Sequence, residues 1–247
     1  QEIQKLQAPF IANNGQIDEG VRFYAKTFGG TVFVTKDGEI VYSLPKGKLG
    51  SEGSERNVVR HASGVTLKEQ LVGGTIGEIR GGAESLATVN YFTGNDLSKW
   101  QSNIATYEIV DMGEVYNGIG LRLKAYGNNV EKLFTVRPDA NHEAIKIRIE
   151  GAQGLTVNET GELVVKTELG PVKFTNPIAY QEINDKRVDV AVEYSIQKPE
   201  VLSQKSDGES QRQEARNMKL ETRNLLTKIH NQQLEYGFKV ASYDKTK

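Results

Sequence analysis

The stretch "TVFVTKDGEIVYSL" (residues 31–44) decides the fold class. Asp37-Gly38 sits between TVFVT and EIVYSL, two runs rich in β-branched and aromatic residues, and this is the strongest hairpin signal in the chain. The same grammar recurs downstream. Gly127-Asn128-Asn129 joins GLRLKAY to VEKLFTV, Thr160-Gly161 joins LTVN to ELVVKTE, and Asn184-Asp185 joins IAYQEI to RVDVAVEYSI. Between these turns the apolar residues alternate. Ile145, Ile147 and Ile149 point one way while Lys146, Arg148 and Glu150 point the other, and Val188, Val190, Val192, Tyr194 and Ile196 share one face. Period two is the signature of half-buried strands. Many short strands joined by tight turns, with no helices alternating between them, predict an all-β fold: an antiparallel, sandwich-like domain.

One segment breaks that pattern. From about Glu209 to Leu234 the spacing is helical, with Met218, Leu225, Leu226 and Ile229 on one narrow stripe. A surface α-helix is therefore predicted within an insertion at 199–234, between two strands that a short turn could otherwise join. Its apolar stripe is a candidate partner contact. The chain reads as a single β-rich domain over 1–247, with two sub-lobes, 1–105 and 106–247, that could meet near residue 105.

Composition removes several function classes. Acids and bases nearly cancel across the 247 residues, giving a net charge of −1. No long-range field draws the chain to nucleic acid, and the basic residues of LRLK and IKIRI fall on alternate positions, as on a wet strand face. There is no cysteine, hence no disulfide, thiolate metal site or cysteine nucleophile. No apolar run approaches the roughly 20 residues of a membrane-spanning helix. The polar opening QEIQKLQ suits a mature N-terminus after signal-peptide removal and equally a cytosolic fragment, and an extended QEIQKLQA (1–8) could add as a strand to a neighbour's sheet edge.

Catalytic signatures are missing. His61, His142 and His230 are far apart, with no partner at metal-ligand spacing. Neither a nucleophile elbow nor a phosphate loop occurs, and GIGLRL lacks the third glycine and the helix of a dinucleotide site. The chain is expected not to be an enzyme. No cofactor is expected either. Calcium is the one ion for which NNGQIDEG (13–20) and GNDLSKW (94–100) offer oxygen ligands, but neither follows the EF-hand spacing, and turn capping is the expected use. Asn158-Glu159-Thr160 is a glycosylation sequon, meaningful only in a eukaryotic secreted chain.

The candidate ligand site is "NYFTGNDLSKWQSNIATY" (90–107), which holds the only tryptophan. Trp100 and Tyr91 could form a stacking platform for a sugar, with Asn95 and Asp96 binding its hydroxyls. The favoured reading of Trp100 is structural: it plugs the end of a sandwich, braced by Asn95 and Asp96.

The motifs together resemble a known family. "PFIANNGQIDEGVRFYAKTFGGTVFVTKDGEIVYSL" (9–44) is similar to the opening of the N-terminal domain of bacterial surface proteins with seven-bladed β-propeller-type (SBBP) repeats. The likeness rests on Phe10, Ile11, Asn13, Gly15 and Gln16, then Phe23, Tyr24 and Ala25, then Tyr42 and Leu44. Asn90 to Trp100, 113–123, 134–152, 180–194 and 236–247 continue the series in order, with Gly120 where the family has Asp and Asp139 where it has Gly. The insertion at 199–234 is not part of the family pattern. The resemblance implies a bacterial protein of the extracellular space or outer surface. Its implied function is a non-enzymatic structural or adhesive module of a larger protein or assembly, with other subunits or C-terminal repeat domains as partners. It carries over no catalytic residue. A carbohydrate-binding module is the second reading.

Overall fold

The computed structural model describes residues 7–45, 64–92, 94–97, 100–127, 129–197 and 234–244. The all-β antiparallel expectation holds. The strands are β1 (Gln7–Ala8), β2 (Phe10–Ala12), β3 (Val21–Thr27), β4 (Gly30–Thr35), β5 (Ile40–Pro45), β6 (Gly64–Leu71), β7 (Arg80–Tyr91), β8 (Gln101–Tyr116), β9 (Ile119–Tyr126), β10 (Val130–Val136), β11 (Lys146–Glu150), β12 (Gly154–Val157), β13 (Leu163–Thr167), β14 (Gly170–Phe174), β15 (Ala179–Ile183), β16 (Lys186–Val190), β17 (Val192–Gln197) and β18 (Leu234–Val240). One 13-stranded sheet runs in the order β1-β9-β8-β2-β3-β4-β5-β6-β11-β18-β17, with β10 on β9 and β7 on β8. A 3-stranded sheet, β12-β13-β14, and a 2-stranded ribbon, β15-β16, complete the described fold.

The four turns read from the sequence all join paired antiparallel strands: β4 to β5, β9 to β10, β12 to β13 and β15 to β16. At the first of these, the Thr35 N–H donates to Glu39 O at 3.0 Å and Gly38 takes a φ of 79°, which glycine adopts without strain. Asn184 and Asp185 have φ values of 50° and 60°, the left-handed pair that closes a tight hairpin. The sequence reading of 187–196 as one strand is corrected. Ala191 interrupts it, so that β16 pairs with β15 while β17 joins the main sheet beside β18. Gln197 pairs with Glu235, so β17 and β18 are antiparallel neighbours, and Leu234, which the spacing gave to the helix, instead opens β18. The predicted helix, with Met218, Leu225, Leu226 and Ile229, lies outside the described residues. β8 runs unbroken across residue 105, and its pairing with both β2 and β9 ties the two suggested sub-lobes into one sheet. Gln7 and Ala8 pair with Tyr126 and Ala125 of the chain's own β9; residues 1–6 lie outside the described residues.

Alternation builds the core. Val110, Met112, Ile119, Leu121, Leu123, Ile147, Ile149 and Leu67 are all buried on the inner face. Each such side chain contributes about 1.5–3 kcal/mol relative to exposure. Leu163, Val165 and Phe174 of the 3-stranded sheet pack onto the same cluster. The main sheet also curls onto itself. Among the described strands β10 pairs only with β9, yet Phe134 meets Phe238 of β18 with ring centroids 6.0 Å apart.

Where these layers meet, the core holds a charge pair. Glu69 of β6 is 2 % exposed. Lys132 Nζ of β10 donates to its two oxygens at 2.8 and 2.7 Å, Tyr42 donates to Oε2 at 2.7 Å, and Tyr236 donates to Oε1 at 2.5 Å. The ammonium lies 4.5 Å from the centre of the Phe174 ring and within 5.9 Å of the Tyr42 and Tyr236 rings. Desolvating such a pair costs several kcal/mol per ion, and full hydrogen bonding offsets that cost. Removing one partner strands the other. Lys132→Met is therefore expected to destabilise the protein by about 3–5 kcal/mol in urea unfolding.

The tyrosines add a pH signature. Burial first, and the Glu69 charge second, hold the Tyr42 and Tyr236 hydroxyls well above the ordinary 10.0. Burial likewise raises Tyr194, whose ring meets that of Tyr236 edge-to-face. Above pH 10 the unfolded chain gives up protons that the folded protein keeps. Stability from this source is full below about pH 10 and falls above it, by up to about 1.4 kcal/mol per pH unit for each tyrosine. Urea midpoints that stay flat from about pH 9 to about pH 11 would contradict this assignment.

Candidate functional site

The β7–β8 hairpin carries the residues singled out around Trp100. Its base is firmly held. On one edge β8 pairs with β7; on the other, Tyr107 and Thr106 pair with Phe10 and Ile11, and Val110 pairs with Leu123. A second, smaller core of Ile11, Tyr24 and Ile104 lies under the hairpin, and Val89 and Tyr91 pack against it. Two register shifts, Glu84/Thr88 and Val89/Tyr91, interrupt the pairing. Ala83 and Asn103 take positive φ there, and Asn90 Oδ1 accepts from the Asn103 N–H at 2.9 Å. Such bulges deepen the twist and re-aim side chains. Leu86 at the first one is fully exposed.

Pairing ends at Tyr91 and Gln101, so Trp100 belongs to the connecting turn. Its indole N–H donates to Gly94 O and its backbone N–H to Leu97 O, both at 3.2 Å. The ring that faces it is Phe92, with centroids 5.2 Å apart and planes tilted by 55°. Phe92, Leu97 and Trp100 are 58 %, 68 % and 42 % exposed.

These positions revise the reading of this stretch. Trp100 is not a buried plug; it stands at the tip of a hairpin. Tyr91 does not share its platform, because neighbours on a strand point to opposite faces and Tyr91 turns toward the small core. Phe92, which the sequence reading left without a role, supplies the second ring. Asn95 and Asp96 are exposed beside them in the same turn.

The remaining sequence candidates are dispersed. His142 contacts the Tyr243 hydroxyl through Nδ1 at 3.2 Å; His61 and His230 lie outside the described residues. Among the described residues no group of three or more His, Cys, Asp or Glu is placed to hold a metal ion. In 13–20, Asn13 Oδ1 accepts from the Gly15 N–H at 3.1 Å and Asp18 Oδ1 from the Gly20 N–H at 2.8 Å, so these side chains cap turns. Asn158 does the same for the turn to Glu162. No described helix is long and apolar enough to cross a membrane. Glu69 and Lys132, which the sequence reading missed, could in principle work as an acid–base pair. The cavity beside them measures about 10 Å³, at the lower limit for a single water and too small for a substrate. They act on the fold.

A family model described as a domain of unknown function, DUF7948, matches residues 10–247. The chain belongs to this family. No curated protein and no solved structure matches it. The DUF7948 match takes in β2 to β18, so the hairpin tip and the Glu69 cluster both lie inside the family domain.

Because Trp100 contributes little to any core, Trp100→Ala is expected to cost less than about 1 kcal/mol of unfolding free energy. A loss of about 3–5 kcal/mol would restore the buried-plug reading.

Proposed function

We propose that this DUF7948 chain is a non-enzymatic structural or adhesive module of a secreted or cell-surface bacterial protein, and that it makes contact through the tip of the β7–β8 hairpin. The observation that carries this reading is the exposure of Phe92, Leu97 and Trp100 together at one turn. Large apolar side chains grouped in water mark contact surfaces, and rigid aromatics act as anchors at interfaces. The long hairpin lifts the tip off a sheet held rigid by its core. The extracellular setting is supported by the resemblance to the N-terminal domain of SBBP-repeat surface proteins.

Carbohydrate is the second reading. The observation favouring it is the Phe92–Trp100 ring pair, with the amide of Asn95 and the carboxylate of Asp96 exposed in the same turn. Flat rings take the apolar face of a sugar, while amides and carboxylates bind its hydroxyls.

The test compares wild type with Trp100→Ala and Phe92→Ala in binding to intact bacterial cells and to a polysaccharide panel. Each variant is expected to stay folded and to lose about tenfold or more in affinity, as an interface anchor would. Binding to cells without binding to isolated glycans assigns a protein partner. Folded variants that bind as wild type does would remove the tip from the function.

A further inference from the structure

A hollow of about 380 Å³ opens on the outer face of β8, β9 and β10. By strand spacing it lies roughly 35 Å from Trp100 along β8, so it is independent of the hairpin tip.

Its walls follow from a bulge. Asp111 and Glu114 are three residues apart and would face opposite sides of a regular strand. The register shifts between them, and Gly113 takes a φ of 71° at that point. The phase therefore reverses: Val110, Met112 and Val115 are all buried, while Asp111 and Glu114 both turn outward. Across from them stands Gly120, paired with Glu114 on one side and Thr135 on the other. Having no side chain, it leaves the floor as bare backbone. Arg122 and Arg137 line the rim.

The hydrogen bonding of these groups is one-sided. Asp111 Oδ1 accepts from the Gly113 N–H at 2.8 Å, and Oδ2 from Arg122 Nε at 3.1 Å. Glu114 Oε1 accepts from the Gly118 N–H at 3.1 Å, and Oε2 faces an Arg137 terminal nitrogen at 3.2 Å. Every carboxylate oxygen thus has a donor or a facing cation. Each carboxylate keeps further lone pairs, but of the ten N–H groups on the two guanidiniums only Arg122 Nε–H is spent in a hydrogen bond here, so unused donors outnumber unused acceptors. Exposed ion pairs add little to stability, yet these are held in place by backbone amides on one side and their arginines on the other. The carboxylates aim the arginines, and the arginines face a hollow.

We propose that this hollow binds a small ligand bearing a carboxylate, sulfate or phosphate group, gripped by the forked guanidinium groups of Arg122 and Arg137. Planar forks match such oxyanions with paired hydrogen bonds. The anion is either a free small molecule or one unit of an acidic polysaccharide; the oxyanion chemistry is common to both.

The experiment titrates the full chain by calorimetry and by NMR with galacturonic acid, its trimer, inorganic phosphate and neutral galactose. At least one anion is expected to bind, and galactose is not. A trimer that binds more tightly than the monomer assigns the polysaccharide, and a monomeric anion that binds equally well assigns the free ligand. Arg122→Gln and Arg137→Gln are each expected to weaken binding about tenfold, as the loss of a charge-assisted pair does. Gly120→Val fills the hollow. The backbone there is extended, and an added Cβ meets only Gly113 O, at 3.5 Å, so the fold should survive and binding should disappear. The inference is overturned if none of the anions binds, if galactose binds equally well, or if folded Gly120→Val binds as wild type does. The tip reading is tested by Trp100 and Phe92, so the two fail separately.

Discussion

The buried pair of Glu69 and Lys132 is the constraint on which the rest of the structure rests. A 13-stranded open sheet has no reason in its backbone pairing alone to bring β10 against β6 and β18. A carboxylate 2 % exposed needs a cation and donors. They come from three other strands: Lys132 on β10, Tyr42 on β5 and Tyr236 on β18. Satisfying one charge therefore fixes the curl of the whole sheet. Apolar burial drives the collapse but is indifferent to partners, whereas a buried charge tolerates one arrangement and penalises the others. That makes the cluster a source of specificity for the fold, over and above any net stability.

The fold divides its work between faces. The inner face is given over to packing and to the Glu69 cluster, beside which lies a cavity of about 10 Å³. What the molecule offers to others lies outside. β8 serves both ends of that outer surface. Its first residues leave the sheet as one arm of the hairpin that carries Phe92, Leu97 and Trp100, and its last residues carry Asp111 and Glu114 on the outer face. Bulges make both possible, since each re-aims side chains without breaking the sheet.

Much of the architecture was legible in the sequence. Alternation located the buried face of β11, and Asp37-Gly38, Asn184-Asp185 and Thr160-Gly161 marked hairpins that are present. These signals are local, and the antiparallel turns keep them so. The Glu69 cluster was missed for the opposite reason: its members come from strands far apart in the chain. One signal was available. Glu69 falls in phase with Val65, Leu67 and Leu71, and Lys132 in phase with Val130, Phe134 and Val136, so each charge interrupts an apolar face. Two opposite charges on inward positions predict a pair. Trp100 was misjudged because size alone suggests burial, whereas a residue beyond the last strand pair of a hairpin has little to be buried by. The split at Ala191 left no mark, since alternation runs on through it while the chain changes sheets.

The central claim is that Glu69 and Lys132 act on the fold through each other. A double-mutant cycle with Glu69→Gln, Lys132→Met and the double variant measures this directly in urea unfolding. The account expects a coupling of about 2 kcal/mol or more, with the double variant far less damaged than the sum of the single ones. Single costs that simply add, leaving a coupling below about 0.5 kcal/mol, would mean that the two charges are held by their separate surroundings and do not close the sheet.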